Sequence, residues 1–223
     1  PATVVLVSFD GFRHDYLDRG LPLPAFARLA AGGVRARALV PSFPSKTFPN
    51  HLTLVTGVRP GRHGIVANAF HDPARRDSFA IRRPADVRDA SWYRAEPLWV
   101  AAERAGVPTA SMMWPGSEAA IGGVRPATVV AYDGAVPAAV RVDSVAAWLR
   151  RPAPARPRFV ALYVGDVDAA GHEHGPDAPA TDRAIVDADR VLGRLLDSLA
   201  ASPVRASAHV VVVSDHGMRE VAA

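Results

Sequence analysis

The sequence predicts an α/β domain with a mostly parallel central sheet flanked by helices. Three apolar, β-branched runs, at 3–9, 158–164 and 209–214, are each followed at once by polar residues that include glycine and aspartate. Continuous apolar runs of this length are typical of strands buried on both faces, as in parallel sheets. Helical patterns lie between the runs, and this alternation favours the same architecture.

The remaining elements follow along the chain. A fourth strand is predicted at 109–114, before Pro115-Gly116, and helices are predicted at 24–31, 96–105 and 140–150. A longer helix follows Pro179, because apolar residues recur at spacings of 3, 4, 3 and 4 to form one stripe: Ile185, Ala188, Leu192, Leu195 and Leu199. Residues 57–95 have weak periodicity and are interpreted as loops over one edge. Neither an internal repeat nor an interdomain linker is evident.

Composition excludes several classes of function. The chain has 223 residues, a net charge of +4 and no cysteine, which excludes disulfides, thiolate metal sites and cysteine nucleophiles. Lys46 is the only lysine, and the arginines are scattered without a basic run, so we expect no stable nucleic-acid complex. Enrichment in Ala, Arg and Pro together is typical of GC-rich bacterial coding. The sequence gives no indication of oligomeric state.

No apolar run is long enough to span a bilayer. No charged and then apolar leader precedes the first strand, so we expect a signal peptide to be absent or already removed.

Three aspartates are candidate metal ligands. Asp10, Asp168 and Asp215 each come directly after, or within four residues of, a predicted strand. Ligands of open α/β sheets bind beyond the carboxyl ends of the strands. A single aspartate in this position often only caps the next helix, but three at one edge favour a shared site.

Two histidines accompany these carboxylates. His216 follows Asp215 directly, and His172 lies four residues after Asp168, a spacing at which both side chains can reach one ion. Carboxylate and imidazole without sulfur form the ligand set of catalytic Zn²⁺. Mn²⁺ is an alternative, whereas Mg²⁺ prefers oxygen ligands alone.

A threonine-containing loop is the candidate for nucleophilic chemistry. Residues 43–51 lead into the apolar segment 52–55, as a loop leads into a helix N-terminus. Backbone N–H groups and the helix dipole favour phosphate there, and a metal-bound hydroxyl of Thr47 can attack phosphorus. The local sequence fits equally well with Ser45 or Thr47 acting only as a helix cap.

These motifs together resemble the nucleotide pyrophosphatase/phosphodiesterase family of the alkaline phosphatase superfamily, the type I phosphodiesterases. The matching segments run in family order along the whole chain: 7–13, 43–51 (FPSKTFPNH), 54–57, 63–68, 114–118, 168–176 and 214–218 (SDHGM).

The resemblance implies an alkaline phosphatase-like fold and a role for each motif residue. Thr47 is implied as the nucleophile and as a ligand of one zinc ion, which it shares with Asp10, Asp215 and His216. Asp168 and His172 are implied as ligands of a second zinc ion. Asn68 is implied to hold a phosphate oxygen, and the aromatic rings of Phe48 and Tyr132 are implied to pack against a nucleobase.

The implied reaction is zinc-dependent hydrolysis of nucleotide phosphodiester or pyrophosphate bonds, through a phospho-threonine intermediate, with release of a nucleoside 5′-monophosphate. The substrate is then a small nucleotide or phosphodiester. A phospholipid-type phosphodiesterase on the same scaffold is the close alternative. A phosphomonoesterase is disfavoured, because no arginine adjoins Thr47 in a phosphate-binding position.

The family's second zinc ion has a further histidine ligand well beyond the motif at 214–218, whereas this chain ends at Ala223. We therefore expect residues 1–223 to be the N-terminal portion of a single phosphodiesterase catalytic domain, with the second zinc site incomplete. An inactive metal-binding or nucleotide-binding fragment is the alternative from another functional class. Bacterial relatives are usually exported, which predicts a periplasmic or secreted protein.

Overall fold

The computed structural model describes residues 2–221. Its centre is a five-stranded sheet in which every strand pair is parallel. The strands are β1 (Thr3–Phe9), β4 (Thr109–Met112), β5 (Thr128–Val130), β6 (Phe159–Val164) and β7 (Ala208–Val213), in the order β5-β4-β6-β1-β7. A separate antiparallel hairpin is formed by β2 (Ala69–Asp72) and β3 (Asp77–Ala80).

Eight α-helices connect and cover these strands in the described part of the chain. They are α1 (Pro24–Ala31), α2 (Thr47–Thr56), α3 (Pro60–His63), α4 (Pro84–Arg88), α5 (Leu98–Arg104), α6 (Ala138–Leu149), α7 (Asp166–His174) and α8 (Pro179–Ala200). None of these helices combines the length and apolar character needed to cross a bilayer.

The sheet separates two hydrophobic cores. Along β1 the side chains alternate between faces, so Val5 and Val7 pack with α6 and α8 on one side. Leu6 packs with α2 and α5 on the other, around Leu52 and Trp99. Strands buried on both faces need continuous apolar sequence, which explains the runs from which the sheet was predicted.

Strand register brings three chain segments to one edge of the sheet. Ser8 of β1 pairs with Tyr163 of β6 on one side and with Val213 of β7 on the other. The three strands therefore end level with one another, and the residues that follow them share one rim.

The predicted strands and the four predicted helices are confirmed, with ends that differ by a few residues. The prediction of loops over 57–95 is wrong, because this stretch forms α3, the β2–β3 hairpin and α4. Aromatic packing stabilises the short hairpin: the rings of Phe70 and Phe79 stack with centroids 5.4 Å apart, and both pack against Trp92.

Two further elements were not anticipated as such. Strand β5 has only three residues and carries too little pattern to be recognised. No element was predicted for the segment that carries Asp168 and His172, which forms the nine-residue helix α7.

Candidate metal centre and nucleophile

Three carboxylates converge where β1, β6 and β7 end. Asp10 directly follows β1, Asp215 lies two residues beyond β7, and Asp168 lies in the first turn of α7 after β6. Asp10 is 1% exposed and Asp215 2% exposed. The backbone N–H of Gly11 donates a 3.3 Å hydrogen bond to Asp215 Oδ1, which ties the β1 and β7 loops together.

His216 lies at the centre of one part of this cluster. Its Nε2 is 3.1 Å from Asp215 Oδ2, 3.4 Å from Asp10 Oδ1 and 3.5 Å from Thr47 Oγ1. Its Nδ1 lies 2.9 Å from the carbonyl oxygen of Gly217, which can only accept a hydrogen bond. Nδ1 therefore carries the proton, and the lone pair of Nε2 faces the carboxylates, the arrangement usual in metal-binding histidines.

The donor set fits a cation. Three carboxylate oxygens at this rim are buried without a hydrogen-bond partner among residues 2–221: Asp10 Oδ1, Asp168 Oδ1 and Asp215 Oδ2. Potential ligand atoms of Asp10, Asp168 and His216 all lie within 4.8 Å of one another. Buried acceptors without donors are costly in a folded protein unless an ion or water satisfies them, so a bound metal ion explains all three.

The pKa values of the buried carboxyl groups also favour a bound cation. Burial raises the pKa of the Asp10 carboxyl well above its ordinary value, and the nearby Asp215 and Asp168 carboxylates raise it further. Burial also raises the pKa of Asp215 to about 7. Without a cation, this site therefore competes for protons near neutral pH.

Helix α7 supplies the second part of the cluster. Asp168 Oδ1 lies 3.5 Å from His172 Nε2, one helical turn away, and the His172 side chain is 70% exposed. Gly11 allows the close approach of the two loops: it has a φ of +68°, and a Cβ there would lie 2.9 Å from the Asp168 Cα. Asp168 therefore lies both beside His172 and within the cluster of Asp10 and His216.

Thr47 is the first residue of α2, and the structure resolves the alternative of a helix cap. The N-cap is Lys46, whose side chain makes no capping hydrogen bond, so neither Ser45 nor Thr47 holds that position. The Thr47 hydroxyl instead faces His216, at the N-terminus of a ten-residue helix where the dipole favours anions.

Asn68 adjoins this helix start. Its Oδ1 accepts a 3.0 Å hydrogen bond from the Phe48 backbone N–H. In this orientation the amide Nδ2 hydrogens are the donors that the side chain can offer to an anion at the same helix end.

The two aromatic residues differ in what they can contact. Phe48 is only 9% exposed, and its ring packs in the core with its centroid 5.9 Å from that of Phe79. Tyr132 is 60% exposed, with its ring edge-on to Tyr163 at 5.9 Å. Its backbone N–H donates to Glu118 Oε1 at 3.1 Å. Tyr132 is thus an accessible aromatic surface, whereas Phe48 exposes little of its ring, and its contact with a nucleobase stays a prediction.

Sequence reasoning missed two buried residues at the centre. The Tyr163 hydroxyl donates a 2.6 Å hydrogen bond to Asp10 Oδ2, and His51 lies with its Nδ1 3.5 Å from Asp215 Oδ2. Burial lowers the pKa of His51 to about 3, so it is neutral. Its position four residues after Thr47, on the same face of a helix, was the available signal.

The parallel sheet and the carboxylate–histidine cluster beyond its strand ends together define an alkaline phosphatase-like α/β domain. The chain belongs to the type I phosphodiesterase/nucleotide pyrophosphatase family, whose family model matches residues 4–223. It is similar to a solved structure of mouse ectonucleotide pyrophosphatase/phosphodiesterase 5, with a TM-score of 0.91 and 35% identity over 97% of this chain and 57% of that one. That structure is an inactive threonine-to-alanine variant in complex with AMP.

Three curated relatives extend the comparison. An uncharacterized pyrophosphatase/phosphodiesterase of Schizosaccharomyces pombe is 40% identical over 97% of this chain and 45% of its own length. Mouse ectonucleotide pyrophosphatase/phosphodiesterase family member 1 is 36% identical over 97% of this chain and 24% of its own length. The venom phosphodiesterase CdcPDE of Crotalus durissus collilineatus is 35% identical over 98% of this chain and 26% of its own length.

The chain thus spans about half or less of the length of these relatives. All three come from eukaryotes, and the bacterial origin indicated by the composition stays a prediction.

The raised pKa values predict how the metal-free protein responds to pH. The folded state holds the Asp215 proton more tightly than the unfolded chain, whose aspartates have ordinary pKa values near 3.9. The stabilisation is therefore complete below about pH 4 and is lost as pH rises toward 7. Urea unfolding in EDTA should give a lower free energy of unfolding at pH 7.5 than at pH 5.

Asp215→Asn is the matched comparison, because the amide has a similar shape and does not titrate. Its free energy of unfolding should change less between the two pH values than that of the parent chain. Equal pH dependence in both proteins would contradict the assignment of this shift to Asp215.

Proposed function

We propose that this domain hydrolyses phosphodiester or pyrophosphate bonds of nucleotides, with Thr47 as the nucleophile and Zn²⁺ as the cofactor. The observation that supports this most is the position of the Thr47 hydroxyl, at a helix N-terminus and 3.5 Å from His216 within a cluster of unpartnered carboxylates. Hydroxyl, imidazole and carboxylates of this kind can share one metal ion.

The residues divide into two proposed metal sites. Asp10, Thr47, Asp215 and His216 surround the first, and Asp168 and His172 contribute to the second. When bound, two metal ions supply charge that lowers the pKa of the nucleophilic hydroxyl and stabilises the leaving oxygen. Neutral imidazole and carboxylate without thiolate favour Zn²⁺, with Mn²⁺ as the alternative.

The chain's own groups then carry the chemistry in two displacements. Thr47 Oγ1 gives its proton to solvent and forms a bond to phosphorus while the bond from phosphorus to the leaving oxygen breaks, which gives a phospho-threonine; the leaving oxygen takes up a proton from solvent. Water next gives up a proton and forms a bond to phosphorus on the side opposite Thr47, while the bond from phosphorus to Thr47 Oγ1 breaks and Thr47 regains a proton. The positive end of the α2 dipole and the Nδ2 hydrogens of Asn68 stabilise the charge on the phosphate oxygens.

A nucleotide substrate is supported by the relatives and by Tyr132. The mouse structure similar to this chain holds AMP, and the exposed ring of Tyr132 can pack against a base, with release of a nucleoside 5′-monophosphate. The relatives' names, ectonucleotide and venom enzymes, support action outside the cytoplasm, with secretion or a periplasmic location.

Relatives at least twice as long support the proposal that residues 1–223 are the N-terminal portion of one catalytic domain. A further histidine outside this chain then completes the second metal site. The alternative is a portion that binds metal or nucleotide without turnover. It is favoured by the small part of each relative's length that this chain covers.

Thr47→Ala tests the nucleophile. In the zinc-loaded chain, hydrolysis of the p-nitrophenyl ester of thymidine 5′-monophosphate should fall by about 10³-fold or more, because the covalent route is removed. Thr56→Ala is the matched control: it removes a hydroxyl from the same helix, bonded to the Leu52 carbonyl and remote from the cluster. It should keep turnover near that of the parent chain.

The parent chain should cleave this diester faster than p-nitrophenyl phosphate and bind about two zinc ions by elemental analysis. Faster cleavage of the monoester would contradict the diesterase proposal. One zinc ion with no turnover would instead support the non-catalytic alternative.

Tyr132→Ala distinguishes nucleotides from other phosphodiesters. Base–aromatic stacking contributes about 1–3 kcal/mol, so KM for the thymidine ester should rise by about tenfold. KM for bis-p-nitrophenyl phosphate, which carries no base, should change less. Tyr132→Phe keeps the ring and should behave like the parent chain for both substrates, and an equal effect of Tyr132→Ala on both would favour the phospholipid-type alternative.

A further inference from the structure

His51 lies at the centre of the fold and makes a contact with each of three elements at the site. Its side chain is fully buried in α2, one turn after Thr47. Nδ1 lies 2.8 Å from the Thr47 carbonyl oxygen, and Nε2 lies 2.8 Å from Ser8 Oγ on β1. Its third neighbour is Asp215 Oδ2, 3.5 Å from Nδ1 at the end of β7.

Geometry alone leaves two interpretations of this histidine. Its ligand atoms lie within 4.8 Å of those of Asp10 and Asp215, so it can be taken for a metal ligand. Alternatively, it can lie behind the metal ligands and hold the backbone of the nucleophile in place.

The hydrogen bonds decide between these interpretations. A carbonyl oxygen only accepts, so the proton of His51 is on Nδ1 and is donated to Thr47. Nε2 is then the acceptor of the Ser8 hydroxyl proton. Both nitrogens are engaged with protein groups, and neither has a lone pair available for a metal ion. This contrasts with His216, whose Nε2 lone pair faces the carboxylates.

Packing holds the imidazole in this orientation. The rings of Trp114 and Tyr163 lie edge-on to it, with centroids at 5.1 and 5.2 Å. Trp114 Nε1 also donates to the His51 carbonyl oxygen at 3.4 Å. The ring therefore cannot flip without disturbing two large buried side chains.

We propose that His51 is a positioning residue for Thr47 and does not bind metal. Its Nδ1–H donates to the Thr47 carbonyl oxygen and its Nε2 accepts from Ser8, so the ring ties the first turn of α2 to β1. The assignment rests on the proposed role of Thr47 as nucleophile. A displacement of about 1 Å in a reacting group can cost about 100-fold in rate, so a tether on the nucleophile's own carbonyl bears directly on turnover.

Two isomeric replacements test the tether. His51→Asn places an amide nitrogen near the position of Nδ1 and keeps a donor for the Thr47 carbonyl, whereas His51→Gln places one near Nε2. In the zinc-loaded 223-residue chain, kcat of His51→Gln should be about 10–100-fold below that of His51→Asn, with KM within about twofold. Equal kcat in the two variants, or higher kcat in His51→Gln, would overturn the proposal.

His63→Asn, at the end of α3, is the matched control for loss of a buried histidine beside α2. His63 is equally buried, and its Nε2 lies 3.1 Å from the carbonyl oxygen of Pro49, but it contacts none of the cluster residues. It should lose stability to a degree similar to the His51 variants while kcat stays near that of the parent chain. A comparable fall in kcat would show that general destabilisation explains the effect.

Nitrogen chemical shifts of the imidazoles test the assignment without turnover. Long-range ¹H–¹⁵N spectra should show His51 protonated at Nδ1, with no change when zinc is added, whereas the Nε2 signal of His216 should shift. A zinc-induced shift at His51 would identify it as a ligand and overturn the proposal. If the parent chain has no Thr47-dependent turnover, the proposed function fails, and these shifts still decide the role of His51.

Discussion

Three carboxylates held together at the ends of parallel strands are the main electrostatic constraint on this structure. Asp10 and Asp215 are almost completely buried, and Asp168 adds a third negative charge nearby. Bringing like charges into a protein interior is unfavourable unless a cation or protons compensate them. The fold nevertheless enforces this arrangement, since strand register fixes where β1, β6 and β7 end. A domain that keeps such a cluster in place is organised around binding a metal ion.

Backbone groups and neutral side chains set the geometry around this cluster. Among residues 2–221, no arginine or lysine contacts the three carboxylates to neutralise their charge. The Tyr163 hydroxyl and the Gly11 N–H hold one oxygen each of Asp10 and Asp215, and leave the other oxygen of each without a donor. Helix α2 then brings its positive end and the Thr47 hydroxyl to the same place. The proposed nucleophile, the anion site and the proposed metal ligands are therefore positioned by one sheet and two helices, α2 and α7.

Sequence patterns predicted the sheet and the strand-end residues because both follow from local rules: buried parallel strands are continuously apolar, and their carboxyl ends carry ligands. The β2–β3 hairpin escaped prediction because its stability comes from the packing of Phe70 and Phe79 against each other and against Trp92, which lies outside the hairpin. His51 and Tyr163 were missed for a related reason, since each lies within an element that contains mostly apolar residues. The pairing of β6 with β1 brings Tyr163 to Asp10, and the packing of α2 on the sheet brings His51 to Asp215.

Anomalous diffraction at the zinc absorption edge, from crystals of the chain grown with zinc, would locate any metal ion bound at the strand ends. We expect a strong peak within about 2–2.3 Å of ligand atoms of Asp10, Asp215 and His216, beside Thr47, and a second, weaker peak at Asp168 and His172. No peak at the strand ends, or a peak ligated by His51 in place of His216, would contradict this expectation.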